Sequence, residues 1–199
     1  MAIDVRAFSN AREPRRDRVA LQSRPVAMST ANIEEATTSS PHRPQDQDIE
    51  LARVAEEFQH LSTVDNFNRV ASKVHPLSAT ADELVCELTI EAEHVNTKGT
   101  LHGGFSASLV DIITARAVGM TVKDKGMASV ELAVSYLLPV KKGDTIRITA
   151  QVLKIGRNLA FTDIEFRRPD GKIAVKGKHT LAILPKDPPV SATGRVVQY

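Results

Sequence analysis

Hydrophobic spacing divides the chain into an unpatterned start, a helix, a strand, a second helix and four further strands. After Asp46, Leu51, Val54, Ala55 and Phe58 recur at i, i+3, i+4 and i+7, which predicts an amphipathic helix packed across one end of the core. Phe67 to Val74 fits a helix or a strand, and His75-Pro76 interrupts it. Alternation follows. Leu84, Cys86, Leu88 and Ile90 fall on one side and Val85, Glu87, Thr89 and Glu91 on the other, as in a half-buried strand.

From Gly103 to about Met120 the period returns to that of a helix. Phe105, Leu109, Ile112, Ile113 and Val118 are interleaved with Ala107, Ala115 and Ala117, so the helix is apolar nearly all round and is expected to be enclosed. Asp111, Thr114 and Arg116 interrupt it. Four alternating segments come next: Ser129 to Leu138, Thr145 to Val152, Ala160 to Arg167 and Ile173 to Leu184. Short Gly-containing turns separate the four, at Gly143, Gly156 and Gly171, which predicts an antiparallel meander. The expected fold class is α+β, with a sheet of five to six antiparallel strands around a central helix.

Residues 1 to 45 show no sustained apolar period and are expected to be a disordered leader; residues 46 to 184 form the domain, and the Pro-containing stretch 185 to 199 a mobile tail. The net charge of +2 comes from this leader, where six Arg in the first 27 residues face Asp4, Glu13 and Asp17. An Arg-rich, Ser-containing leader also fits a mitochondrial transit peptide, although its acids count against that. The location expected is cytoplasmic, with the mitochondrion as the alternative. Aromatic content is 4% with no Trp, and no basic face carries interleaved aromatics, so nucleic acid is not an expected partner. No apolar run approaches the length of a membrane span. The single Cys86 reads as a packing residue. The His residues show no metal-ligand spacing, and neither a metal nor a separate cofactor is expected.

Chemistry concentrates between His94 and Asp111. His102-Gly103-Gly104 opens the central helix, where backbone N–H groups lack intrahelical acceptors and stand at the positive end of the dipole. Such a place suits an oxyanion, and glycine lets a carbonyl come close. Eight residues on, Asp111 stands among Val110, Ile112 and Ile113, where burial of an unpaired carboxylate would be costly. It reads either as a structural Asp bonded to a hydroxyl or as a carboxylate tuned for catalysis. Eight residues of helix separate Gly103 from Asp111 by ~12 Å, too far for one substrate carbonyl to meet both. If both act, they come from different subunits, as a two-fold dimer with antiparallel central helices would supply. Taken alone, Asn96 also reads as a turn former, Ser129 as a solvated strand residue and His102 as a helix-entry hydrogen-bonder.

The run Asn96-x-x-Gly-Thr-Leu-His102-Gly103-Gly104, with Asp111 nine residues after the His, is followed by Ser129-Val-Glu131 and by Lys154-Ile-Gly-Arg-Asn-Leu-Ala-Phe161. Together, over roughly residues 50 to 184, these resemble the acyl-CoA thioesterase 13 group (thioesterase superfamily member 2) of hotdog proteins, and the bacterial phenylacetate-pathway thioesterases. The resemblance implies a hotdog fold, a homodimer or dimer of dimers (a homotetramer), and hydrolysis of acyl-CoA to free acid and CoA, with CoA as part of the substrate. Asp111 would be general base or nucleophile, Ser129 would hold that carboxylate or its water, the Gly103 N–H of the partner would bind the thioester oxygen, and Asn96 and His102 would orient the carbonyl and the loop. CoA would lie along Tyr136 and the loop Lys154, Ile155, Gly156, Arg157, Asn158 and Leu159, with the two cations facing its phosphates. Glu131 departs from the shorter acid expected there. Rival readings are a hotdog hydratase or dehydratase, whose His-Phe-Pro-Gly and Asp-to-His motifs are absent, and a non-catalytic acyl-CoA-binding module.

Overall fold

The computed structural model describes residues 44–185; the expected leader, save Pro44 and Gln45, and the expected tail after Pro185 lie outside them. Helix α1 (Pro44–His60) starts two residues earlier than the apolar spacing indicates, because proline fits the first turn of a helix, where its missing N–H costs nothing. Val54 and Phe58 are buried on its inner side. A 3-10 turn, Phe67–Ala71, resolves the ambiguous segment.

Six strands follow: β1 (His75–Ala79), β2 (Glu83–Thr89), β3 (Met127–Tyr136), β4 (Thr145–Ile155), β5 (Leu159–Arg167) and β6 (Ile173–Ile183). They form one antiparallel sheet in the order β1-β2-β4-β5-β6-β3. Strand β1 corrects the reading of His75-Pro76 as a break. Pro76 pairs with Cys86 at the sheet's edge, and the register shifts between Pro76 and Ser78. An edge and a bulge are the places where a residue without an N–H is tolerated in a sheet.

The second helix, α2 (Gly103–Gly119), packs against β2, β3, β4, β5 and β6, so the sheet wraps around it. Leu109, Ile113, Ile146, Ile148, Ile164 and Phe166 meet in the core between them. Close approach is set at Gly177. A Cβ there would stand 2.9 Å from a methyl of Ile164, closer than real side chains come, and 3.0 Å from a methyl of Val110. Cys86 lies in this core, where burial pushes its thiol up to about 12, so it stays protonated and unreactive.

The polar interruptions of α2 each have a structural reason. Thr114 is fully buried and donates to the Val110 carbonyl at 2.7 Å. Arg116 lies over the Phe58 ring, 4.7 Å from its centroid, and 3.9 Å from Glu57, which ties α1 to α2. Asp111 remains.

Candidate active site

The entry to α2 is built by a small hairpin. Asn96 N–H donates to the Thr100 carbonyl, Val95 bridges Leu101, and Gly99 takes a φ of +72°, the left-handed conformation that glycine adopts without strain. Asn96 Oδ1 accepts from the N–H groups of Lys98 and Thr100 at 2.9 and 3.3 Å, and Asn96 Nδ2 donates to Thr100 Oγ1 at 3.0 Å. The turn-forming reading of Asn96 is therefore seen directly, and one amide hydrogen remains for a ligand. His102 is the N-cap, its Nδ1 accepting the Gly104 N–H at 3.0 Å. The Gly103 N–H finds no acceptor among the described residues. It is the first free donor of the helix.

Tyr136 closes this end. Its hydroxyl donates to the Gly103 carbonyl at 2.9 Å, and its ring lies 3.4 Å from where a Gly103 Cβ would be. Beside it is a cavity of about 300 Å³ lined by residues that include Leu101, Gly103, Ser106, Tyr136 and Leu138. In a single chain Tyr136 stands apart from the loop Lys154 to Leu159. Tyr136 pairs with Val175, whereas Leu159 pairs with Ala182, seven positions further along β6 and ~23 Å away at the rise of a strand. Within one chain they stand at opposite ends of the sheet.

Two turns along α2, Asp111 meets the other end of β3. Ser129 Oγ donates to Asp111 Oδ1 at 2.6 Å. The same oxygen lies 3.4 Å from His179 Nε2, and Thr114 Oγ1 lies 2.6 Å from His179 Nδ1. His179 is fully buried, and that burial holds its pKa below the ordinary imidazole value, while Asp111 pulls it back upward to a lesser degree. The single Thr114 hydroxyl hydrogen goes to the Val110 carbonyl, so Thr114 Oγ1 is left to accept from His179 Nδ1–H. His179 was absent from the residues that spacing singled out. Its signal was parity, since it shares the inward side of β6 with Val175, Gly177, Leu181 and Ile183.

The Asp111 side chain is 47% exposed in the single chain, which corrects the expectation of a buried carboxylate. Asp111 stands at the margin between the helix and the sheet, beside the exposed Ser129. Lys154, Arg157 and Asn158 are exposed near this end, and neither cation is in an ion pair among the described residues. Ile155 and Gly156 are half-buried, and the Gly156 N–H donates to the Leu159 carbonyl at 2.7 Å to close the loop.

A long helix cradled by an antiparallel sheet, entered through His-Gly-Gly and bearing a carboxylate in its middle, defines the hotdog class. Residues 98–175 match the family model for the thioesterase superfamily. A Caenorhabditis elegans protein, F42H10.6, is 58% identical over 158 residues, 79% of this chain and 93% of that protein. Human acyl-coenzyme A thioesterase 13 is 40% identical over 126 residues, 63% of this chain and 90% of that protein. The crystal structure of zebra fish thioesterase superfamily member 2 superposes with a TM-score of 0.65 at 40% identity, covering 68% of this chain and 98% of that one. The chain belongs to the thioesterase superfamily, on the branch that holds these relatives.

Proposed function

We propose that this protein hydrolyses acyl-CoA thioesters to a free acid and CoA, with the acidic group and the carbonyl-binding amide supplied by different subunits. One observation carries the mechanism. The free Gly103 N–H and the Asp111 carboxylate lie on one straight helix, about eight residues and ~12 Å apart, yet a carbonyl carbon needs both within ~3 Å. The family supports the reaction, since its relatives include an acyl-coenzyme A thioesterase.

Strand β3 supports the pairing. It is the sheet's edge, ten residues long, and it leaves Val130 61% and Tyr136 56% exposed. A long apolar edge needs cover. Antiparallel pairing of β3 with its copy would join two six-stranded sheets, set the two central helices antiparallel, and bring Gly103 and Tyr136 of one chain toward Asp111, Ser129 and the Lys154 to Leu159 loop of the other. That arrangement also reconciles Tyr136 with the cationic loop as parts of one CoA site. A pair of such dimers gives the tetramer that the resemblance implies.

In this reading a water held by Asp111 attacks the thioester carbon. Asp111 takes its proton, the developing oxyanion is held by the partner's amide at the start of α2, and collapse expels CoA as thiolate. Direct attack by the carboxylate, giving an anhydride that water then opens, is the other route open to the same group. Ser129 holds Oδ1 and leaves Oδ2 to the water or substrate.

The test is release of CoA thiol from a panel running from acetyl to palmitoyl and arylacetyl CoA, with native enzyme and Asp111→Asn. Native turnover with a loss of about 100-fold or more in the variant is expected. A folded Asp111→Asn enzyme with native turnover would reject the role of Asp111. With an enoyl-CoA added to the panel, hydration of its double bond with the thioester intact would move the protein to the hydratases.

A further inference from the structure

His94 is almost wholly buried in the 3-10 turn Ala92–His94, with no place in the reaction described above. Burying an imidazole where a carbon ring would pack at lower cost requires a reason. Three contacts fix it. Its Nδ1 accepts the Glu91 backbone N–H at 3.0 Å, which makes the neutral ring an Nε2–H tautomer. Its face stacks on the ring of Phe105 at 4.6 Å between centroids and 6° between planes. Its own carbonyl accepts the His102 N–H at 2.9 Å.

Phe105 is the third residue of α2, and His102 is the N-cap whose ring holds the Gly104 N–H. One residue thus grips both sides of Gly103, through the main chain before it and the side chain after it. The outer rim of the turn is tied down as well, because Lys73 bonds both Glu91 and Glu93. We infer that His94 is a positioning residue that sets the direction of the Gly103 N–H, and so the strength with which that amide holds the oxyanion. The inference rests on the reading of Gly103 as the carbonyl-binding donor.

An amide that is misdirected by a fraction of an ångström loses more in the transition state than in the bound substrate, so the effect falls on kcat and spares KM. His94→Phe keeps a ring against Phe105 and removes the acceptor for Glu91. Gly103→Pro removes the amide hydrogen itself, at a first helical position that accepts proline, after a His102 whose φ of −70° and ψ of 130° suit the residue before proline.

The experiment is a double-mutant cycle on the full chain, following thiol release from one long-chain acyl-CoA, with folding checked by circular dichroism. His94→Phe is expected to lower kcat about 10- to 100-fold with KM within about twofold, and to cost almost nothing more once Gly103 is Pro. An equal loss in both backgrounds, or native kcat in folded His94→Phe, would overturn the positioning role. If His94→Phe does not fold, His94→Asn, which keeps an acceptor near Glu91 and removes the stack, takes its place in the cycle; failure of both to fold assigns His94 to folding and overturns the inference too. Native turnover in Gly103→Pro instead rejects the reading of Gly103, a separate outcome from those for His94.

Discussion

The Ser129 hydroxyl reaches Asp111 Oδ1 at 2.6 Å, joining the edge strand to the middle of the central helix. A hydroxyl donor to a carboxylate is a charge-assisted bond, and it fixes which oxygen stays free. Loss of a hydrogen bond to a charged group is worth about 1.5 to 3 kcal/mol, so Ser129→Ala is expected to lower kcat roughly 10- to 100-fold. Ser129→Thr, which keeps a hydroxyl, recovers part of that loss. Steady-state thiol release for the two variants checks it, and native kcat in Ser129→Ala removes Ser129 from the site.

Gly177 is the point where α2 crosses β6. An added methyl would stand 2.9 Å from Ile164 and 3.0 Å from Val110, both in the close-packed core, where neither can withdraw freely. Gly177→Ala is expected to destabilise the fold by about 1 to 3 kcal/mol, the usual cost of overpacking. Urea unfolding measures it. An unchanged midpoint would mean that the helix sits further from the sheet.

The cations of the β4–β5 loop are expected to act in binding. Lys154 and Arg157 are exposed and unpaired among the described residues, as groups that meet phosphates must be. Replacing both with Ala is expected to raise KM for acyl-CoA by about tenfold or more and to leave kcat near native, because the phosphates lie far from the bond that breaks. Added salt should raise the native KM and leave that of the double variant nearly flat. A fall in kcat at constant KM would place this loop elsewhere.

Legibility followed the strength of local signals. The central helix was readable because His-Gly-Gly marks its start and apolar residues keep its period to Gly119, and β2 and β4 to β6 were readable from alternation between short turns. Strand β1 was not, since five residues containing Pro76 carry no period, and only the neighbouring β2 makes them a strand. The family resemblance puts Asp111 and Ser129 at one centre, and they meet there. His179 carries no spacing signal toward other polar residues, and only its place on the inward side of β6 marks it. The resemblance also joins Tyr136 to the cationic loop, and the apolar neighbours of Asp111 imply that it is enclosed. One chain holds Tyr136 at the far end of β6 from that loop and leaves Asp111 half open.

Two buried imidazoles give the fold a defined response to acid. His94 and His179 are each held below the ordinary value of 6.5, foremost by burial, with Glu93 opposing this at His94 and Asp111 at His179. Above about 6.5 both are neutral whether the chain is folded or not, and they cost nothing. As the pH falls below it, the unfolded chain takes up protons that the native state refuses, so stability is lost toward the lower, folded values. Unfolding midpoints in urea are therefore expected to fall between pH 7.5 and pH 5. His94→Phe, which removes one of the two groups, should make that fall shallower. An identical slope in the variant would mean that His94 takes up its proton as readily in the folded protein as in the unfolded one.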